Sequence, residues 1–187
     1  NFSFGSGCLL VTFHPVTLEK NTASEQFSQL LDALSSFKAL KIIFTKTNAD
    51  TNGRVINSLI DKYVEENPNN AIAFTSLGQL LYINTLRYVD AVVGNSSSGI
   101  IETPTFKVPT VDIGDREKGR IMAANIINCE QSVLAIKAAI KTSLSEKFKA
   151  SLCNMENPYE KGNTAKNITK KLRDYPLPTS AKKEFYD

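Results

Sequence analysis

The chain has 187 residues, 42% of them hydrophobic and 22% charged, with a formal net charge of +3 at pH 7. This length and balance fit one domain with at most small appendages and exclude an intrinsically disordered chain. No apolar stretch reaches the roughly 20 residues that a membrane-spanning helix needs. Basic residues are spread along the chain apart from Lys166, Lys170, Lys171, Arg173, Lys182 and Lys183, so a solvated helix face explains them more simply than nucleic-acid binding.

Cys8-Leu9-Leu10-Val11-Thr12-Phe13 is a continuous apolar run of strand formers ending at His14-Pro15, the pattern of a buried central strand. Phe27, Leu30, Leu31 and Leu34 recur at helical spacing and predict a helix within 18–37, with Thr22 or Ser24 as its cap. Lys41 to Thr45 reads as the next strand, 48–53 as a polar loop, and 54–66 as a helix that Asn67-Pro68 stops. A short strand over Ala71 to Phe74, a helix over 77–88 with apolar residues on more than one face, and a strand over 90–93 follow.

Next comes Gly94-Asn95-Ser96-Ser97-Ser98-Gly99-Ile100-Ile101-Glu102. Small residues at the end of a buried strand leave the backbone little shielded, so several N–H groups are open to one anion where a short helix begins. Pro104 biases Thr103 away from the helical region, which predicts an early stop, with Glu102 about one turn from the loop. A carboxylate there suits a diol better than a phosphate. The competing reading is an ordinary strand-to-helix turn with a serine cap. Lys107 to Gly114 supplies another strand, entered through Pro109 where no ladder N–H is needed. A polar loop over 115–120, a short apolar stretch over 125–129 and helices over 131–143 and 163–173 complete a domain spanning 1–175, leaving 176–187 as a strap or loose tail.

Apolar strands alternating with amphipathic helices predict an α/β domain, a Rossmann-like parallel sheet with helices on both faces and right-handed crossovers. Ligands of such sheets bind beyond the carboxyl ends of the strands. His14, Gly94 to Glu102 and Gly114 to Arg120 each follow a strand directly, so they share one rim, and that coincidence points to a phosphorylated ligand. His14, the only histidine, can donate to a phosphate or act as acid or base near neutral pH, or it is a satisfied histidine near the core. Arg116 offers a guanidinium fork for phosphate oxygens, with Arg120 its rival. Tyr82 is either core or an aromatic platform for a nucleobase.

The absence of a Walker lysine, a GxGxxG fingerprint and a GxSxG elbow argues against ATP hydrolysis, dinucleotide binding and serine hydrolysis. Cys8, Cys129 and Cys153 are widely spaced and read as free thiols in a reducing compartment, and metal-ligand spacings are missing. No cofactor is expected, and the expected location is cytoplasmic. No basic patch followed by an apolar stretch suggests a signal peptide. The start at Asn1 suggests a fragment of a longer protein, although tag removal gives the same appearance.

Thr12-Phe13-His14-Pro15-Val16-Thr17, Gly94 to Glu102, Val108 to Arg116 with Gly119-Arg120, and Asn157-Pro158-Tyr159-Glu160-Lys161-Gly162-Asn163-Thr164-Ala165, in this order, resemble the carboxyl-terminal half of UDP-N-acetylglucosamine 2-epimerases. They look most like the hydrolysing branch that feeds sialic acid synthesis. The resemblance implies the second Rossmann-like domain of a GT-B-type fold, with the N-terminal domain outside this chain and a UDP-sugar in the cleft between the two. It further implies that Ser96 and Ser97, with neighbouring amides including those of Ser98 and Gly99, bind the diphosphate. Glu102 would bind the ribose hydroxyls, Arg116 a phosphate and Tyr82 the uracil, with His14 as this domain's active-site histidine.

The family's reaction removes the sugar C2 proton and eliminates UDP, and hydrolysing members then add water to release N-acetylmannosamine. The acid and base carboxylates come from the first domain, so this chain alone is expected to bind UDP weakly and turn over nothing. The full-length parent is expected to be a homo-oligomer without nucleic-acid or membrane partners. Two departures stand out. Glu160 occupies a position where the family commonly has glycine, which would alter the turn before Gly162, and Glu117 replaces a commoner glutamine, setting an extra carboxylate near the diphosphate. These departures would mark a variant sugar or nucleotide. A GT-B glycosyltransferase domain and a non-catalytic sugar-nucleotide sensor are the other readings of the same rim.

Overall fold

Residues 2–16, 22–48 and 51–176 are described by a computed structural model. Within them, strands β1 (Cys8–Thr12), β2 (Lys41–Thr45), β3 (Ala71–Phe74), β4 (Ala91–Gly94), β5 (Thr110–Ile113) and β6 (Ile126–Cys129) pair in parallel in the order β3-β2-β1-β4-β5-β6. Side chains alternate between faces along each strand. Leu9, Val11, Ile42, Phe44, Ala91 and Val93 therefore join one core, and Cys8, Leu10, Ile43 and Val92 join the other.

The first face is covered by α1 (Ala23–Leu34), α2 (Thr51–Glu66) and, further along the chain, by Val133–Ser143. Phe13, Phe27, Phe44 and Tyr63 run through it with successive ring centroids 5.7, 6.5 and 5.6 Å apart. Fully burying each such ring contributes about 1.5–3 kcal/mol. The second face is thinner. It carries α3 (Gly78–Thr85) and two single turns, α4 (Ser98–Ile101) and α5 (Thr103–Phe106), which leave Tyr82, Ile83 and Phe106 only partly buried. Helices α6 (Val133–Ser143), α7 (Glu146–Ser151) and α8 (Thr164–Asp174) follow β6.

The boundaries depart from the sequence expectation where local signals compete with packing. Thr22 takes the N-cap position of α1, and 17–21 lie outside the described residues. The expected polar loop to residue 53 is cut short because α2 begins at Thr51. Asn52 and Gly53 are poor helix formers, but burial of Ile56 and Ile60 holds the helix. The expected long strand from Lys107 shortens to β5, because Lys107 is left-handed at φ 55° and closes α5 instead. The apolar stretch 125–129 forms the edge strand β6, and α7, for which no helix was expected, is started by Ser145 accepting from the Phe148 N–H at 3.2 Å. Glu160 sits in its turn without left-handed backbone, since Lys107 and Asn163 are the non-glycine residues with positive φ among those described, and its carboxylate accepts from Thr105 Oγ1 at 3.0 Å. The tail from residue 177 lies outside the described residues. No helix among the described residues is long and apolar enough to cross a membrane.

Candidate functional site

Crossovers leave β1 and β4 toward opposite edges of the sheet, so a crevice opens beyond their carboxyl ends, the usual ligand position in this strand order. Thr12 lies opposite Gly94 across that switch. A Cβ on Gly94 would stand 1.8 Å from the Thr12 carbonyl oxygen at a φ of +147°, so this glycine is required by the approach of one strand to the other. Beyond it, the buried Asn95 side chain clamps the backbone of His14. Its Oδ1 accepts from the His14 N–H at 2.7 Å and its Nδ2 donates to the His14 carbonyl at 2.8 Å. The imidazole Nδ1 lies 2.9 Å from Thr47 Oγ1, and Thr47 is held by both ends of the Asn57 amide at 3.0 Å. His14 is thus fixed by two elements rather than hanging from a loop.

The serine turn follows. Asn95 N–H donates to Thr12 O at 3.2 Å and Gly99 N–H to Ser96 O at 2.9 Å, while among the described residues no backbone carbonyl takes the N–H of Ser96, Ser97 or Ser98. Ser97 stands at the N-cap of α4 in helical geometry, φ −58° and ψ −24°, and its hydroxyl makes no capping bond. A capping serine normally adopts extended geometry, so the expectation of an ordinary capped turn is not met. Gly99 serves packing: its N–H is spent, and a Cβ there would lie 2.9 Å from Thr110 Cγ2.

Ser98 Oγ donates to Tyr82 Oη, joining α3 to the turn. Burial, offset in part by that bond and reinforced by the Glu102 charge, pushes the Tyr82 hydroxyl up to about 12, so it remains a neutral phenol. Glu102 ends α4, and its Oε2 is buried without a hydrogen-bond partner. Thr103 is helical despite Pro104, contrary to the sequence expectation. Pro104 sits in the first turn of α5, where its missing N–H costs nothing. Thr103 Oγ1 is meanwhile tied to Gly99 O at 2.6 Å, Thr110 Oγ1 at 2.8 Å and Asn125 Nδ2 at 3.0 Å.

A cleft of about 450 Å³ is lined by His14, Tyr82, Ser98 and Glu102, and on its far side by Lys46 and Ser76 from the loops after β2 and β3. Ser96, Ser97 and Arg116 are not part of that lining. Arg116 instead reaches the turn from beyond β5. Its Nη1 donates to Asn95 O at 2.8 Å and to Glu117 Oε1 at 3.0 Å. Glu117, 3% exposed, also pairs with Arg120. The expected unfavourable carboxylate near the anion site is therefore already neutralised by two guanidinium groups. Beneath them Asp112 is 3% exposed. Burial, and then the Glu117 charge, push its carboxyl up to about 6 against the pull of Arg116.

Sequence reasoning counted Asn95 only as a small amide and passed over Thr47 and Asn57. The clamp depends on a contact between strand ends 81 residues apart, which no local pattern encodes. Glu117 carried a signal, as a departure from the family pattern, but its burial did not.

The sequence profile of UDP-N-acetylglucosamine 2-epimerase matches residues 4–173. A GDP/UDP-N,N'-diacetylbacillosamine 2-epimerase (hydrolyzing) of Campylobacter jejuni is 43% identical over 121 residues, covering 65% of this chain and 32% of that protein. Polysialic acid biosynthesis protein P7 of Escherichia coli is 35% identical over 180 residues, 95% of this chain and 46% of that protein. The crystal structure of Methanocaldococcus jannaschii UDP-GlcNAc 2-epimerase in complex with UDP-GlcNAc and UDP shares the fold with a TM-score of 0.71 at 16% identity, over 91% of this chain and 46% of that one. The chain thus spans less than half the length of these proteins. With a Rossmann-like α/β sheet of GT-B type and a profile match over nearly its whole length, the chain belongs to the UDP-N-acetylglucosamine 2-epimerase family, with relatives in its hydrolysing branch.

Proposed function

We propose that this chain is the UDP-binding half of a hydrolysing UDP-N-acetylglucosamine 2-epimerase. The observation that carries the reading is Glu102 Oε2, buried without a partner in a cleft that also holds Tyr82, Ser98 and His14. An unsatisfied buried acceptor costs about 1–3 kcal/mol, and a ribose diol supplies the O–H donors that remove the cost. Tyr82 then forms the wall beside the uracil. The amides of Ser96, Ser97 and Ser98 face the diphosphate together with Arg116, while Gly99 lets the turn sit against β5.

In that arrangement the groups on the diphosphate stabilise the negative charge that grows on the departing UDP as the sugar C1–O bond breaks. His14, held by Asn95 and Thr47, stands at the sugar end. Removal of the C2 proton and addition of water need further acid and base groups, which in this reading lie in the part of the longer protein that this chain does not cover. The chain alone therefore binds UDP and turns nothing over. The Campylobacter jejuni relative, a hydrolyzing 2-epimerase whose name gives GDP beside UDP, supports hydrolysis as the outcome.

Calorimetric titration of the chain with UDP, repeated with GDP, tests the reading. Glu102→Ala and Arg116→Ala should each weaken UDP about tenfold or more, near 1.4 kcal/mol. No detectable UDP binding, or two variants that bind as the unaltered chain does, rejects it.

A further inference from the structure

We propose that Glu117 is a positioning residue that aims Arg116 at the ligand's phosphate groups. The inference rests on the nucleoside diphosphate reading of the rim and adds to it a residue that itself touches no ligand.

The geometry is one of donor counting. A guanidinium carries five N–H donors in a fixed fork. Both donors of Arg116 Nη1 are spent, one on Asn95 O at 2.8 Å and one on Glu117 Oε1 at 3.0 Å. The three donors on Nε and Nη2 find no acceptor among the described residues, and the Arg116 side chain is 36% exposed. One nitrogen is therefore anchored and the rest of the fork is presented outward, beside the serine turn to which Asn95 belongs.

The two anchors differ in kind. The Asn95 carbonyl fixes distance to the turn but has no charge. Glu117 is the charged anchor, and at 3% exposure it is a buried carboxylate whose desolvation is tolerable only because Arg116 and Arg120 both pair with it. Arg120 forms an ion pair with its second oxygen, although that oxygen accepts no hydrogen bond, so turning the carboxylate away from Arg116 would also break that ion pair. With Glu117 removed, two like charges on neighbouring turns lose their shared counter-ion. Arg116 then keeps one neutral anchor and regains side-chain freedom, which ligand binding must remove again.

A double-mutant cycle read with two probes, UDP and uridine, tests this. Glu117→Ala should weaken UDP about tenfold and leave uridine within twofold, because Arg116 meets only the phosphate part. In an Arg116→Ala background, Glu117→Ala should cost less than a further twofold. Glu117→Gln, which keeps an acceptor oxygen for Arg116 but loses the charge that faces both guanidinium groups, should weaken UDP about threefold to tenfold and likewise leave uridine within twofold. If Glu117→Ala does not fold, the Gln variant still decides, since UDP and uridine affinities both equal to those of the unaltered chain would contradict a charged anchor. Equal losses for UDP and uridine, or additive losses with Arg116→Ala, overturn the inference while leaving the binding reading intact. An unaltered chain that binds no UDP removes both.

Discussion

Gly94 and Gly99 bracket the serine turn, and each is demanded by protein rather than by ligand. Gly94 makes room for the Thr12 carbonyl and Gly99 for the Thr110 methyl. Gly94→Ala combines a positive φ with a backbone clash and should destabilise the fold by about 2–4 kcal/mol in a denaturant midpoint measurement. Asp112 makes a prediction with a definite sign. Its carboxyl is raised from 3.8 to about 6 in the fold, so the native state binds more protons than the unfolded chain between those values and stability contributed by this group falls as pH rises through that window. Asp112→Asn has no such cost. Its stability advantage should be absent near pH 4, grow toward pH 6 and level off above it at about 3 kcal/mol at most. A difference that is flat with pH would contradict the assignment. What was legible here was residue chemistry. His14, Glu102 and Arg116 stood out as strand-end groups, whereas Asn95, Thr47 and Asn57 act through contacts that exist only after the strands pair.

Elements were legible where periodicity and packing agreed, as in β2 and β3, which run over the expected residues. They were misjudged where a local signal was overruled. Asn52 and Gly53 read as loop yet open α2, and Pro104 read as a stop yet begins α5. Helix α8 shows the opposite relation. Ile168, Leu172 and Tyr175 form an apolar stripe at helical spacing and are 54%, 71% and 59% exposed, and no α8 residue is buried. An 11-residue helix without packing lies below the roughly 12–15 residues at which isolated helices become even marginal. In this chain its amides should exchange with solvent within the earliest time points of a hydrogen-exchange experiment, while those of β1 and β4 stay protected. Ile168→Ala combined with Leu172→Ala should lower Tm by no more than about 2 °C; a larger drop would show that α8 carries packing of its own.

At the scale of the whole molecule, the strand order decides where chemistry is possible. The switch between β1 and β4 brings His14, the serine turn and Arg116 to one edge, although they are far apart in the chain. That meeting was legible from strand-end positions alone, because parallel strands put all their carboxyl ends on one side. The tie of Arg116 to Asn95 was not, since it depends on how the loop after β5 folds back. The most direct test of the central claim is an amide chemical-shift titration of this chain with UDP. The account predicts saturable shifts concentrated at Ser96, Ser97, Ser98 and Glu102 and on α3 around Tyr82. Shifts confined to another surface, such as the hollow between Leu34 and Tyr63 near the amino ends of β2 and β3, or none at all, would contradict it.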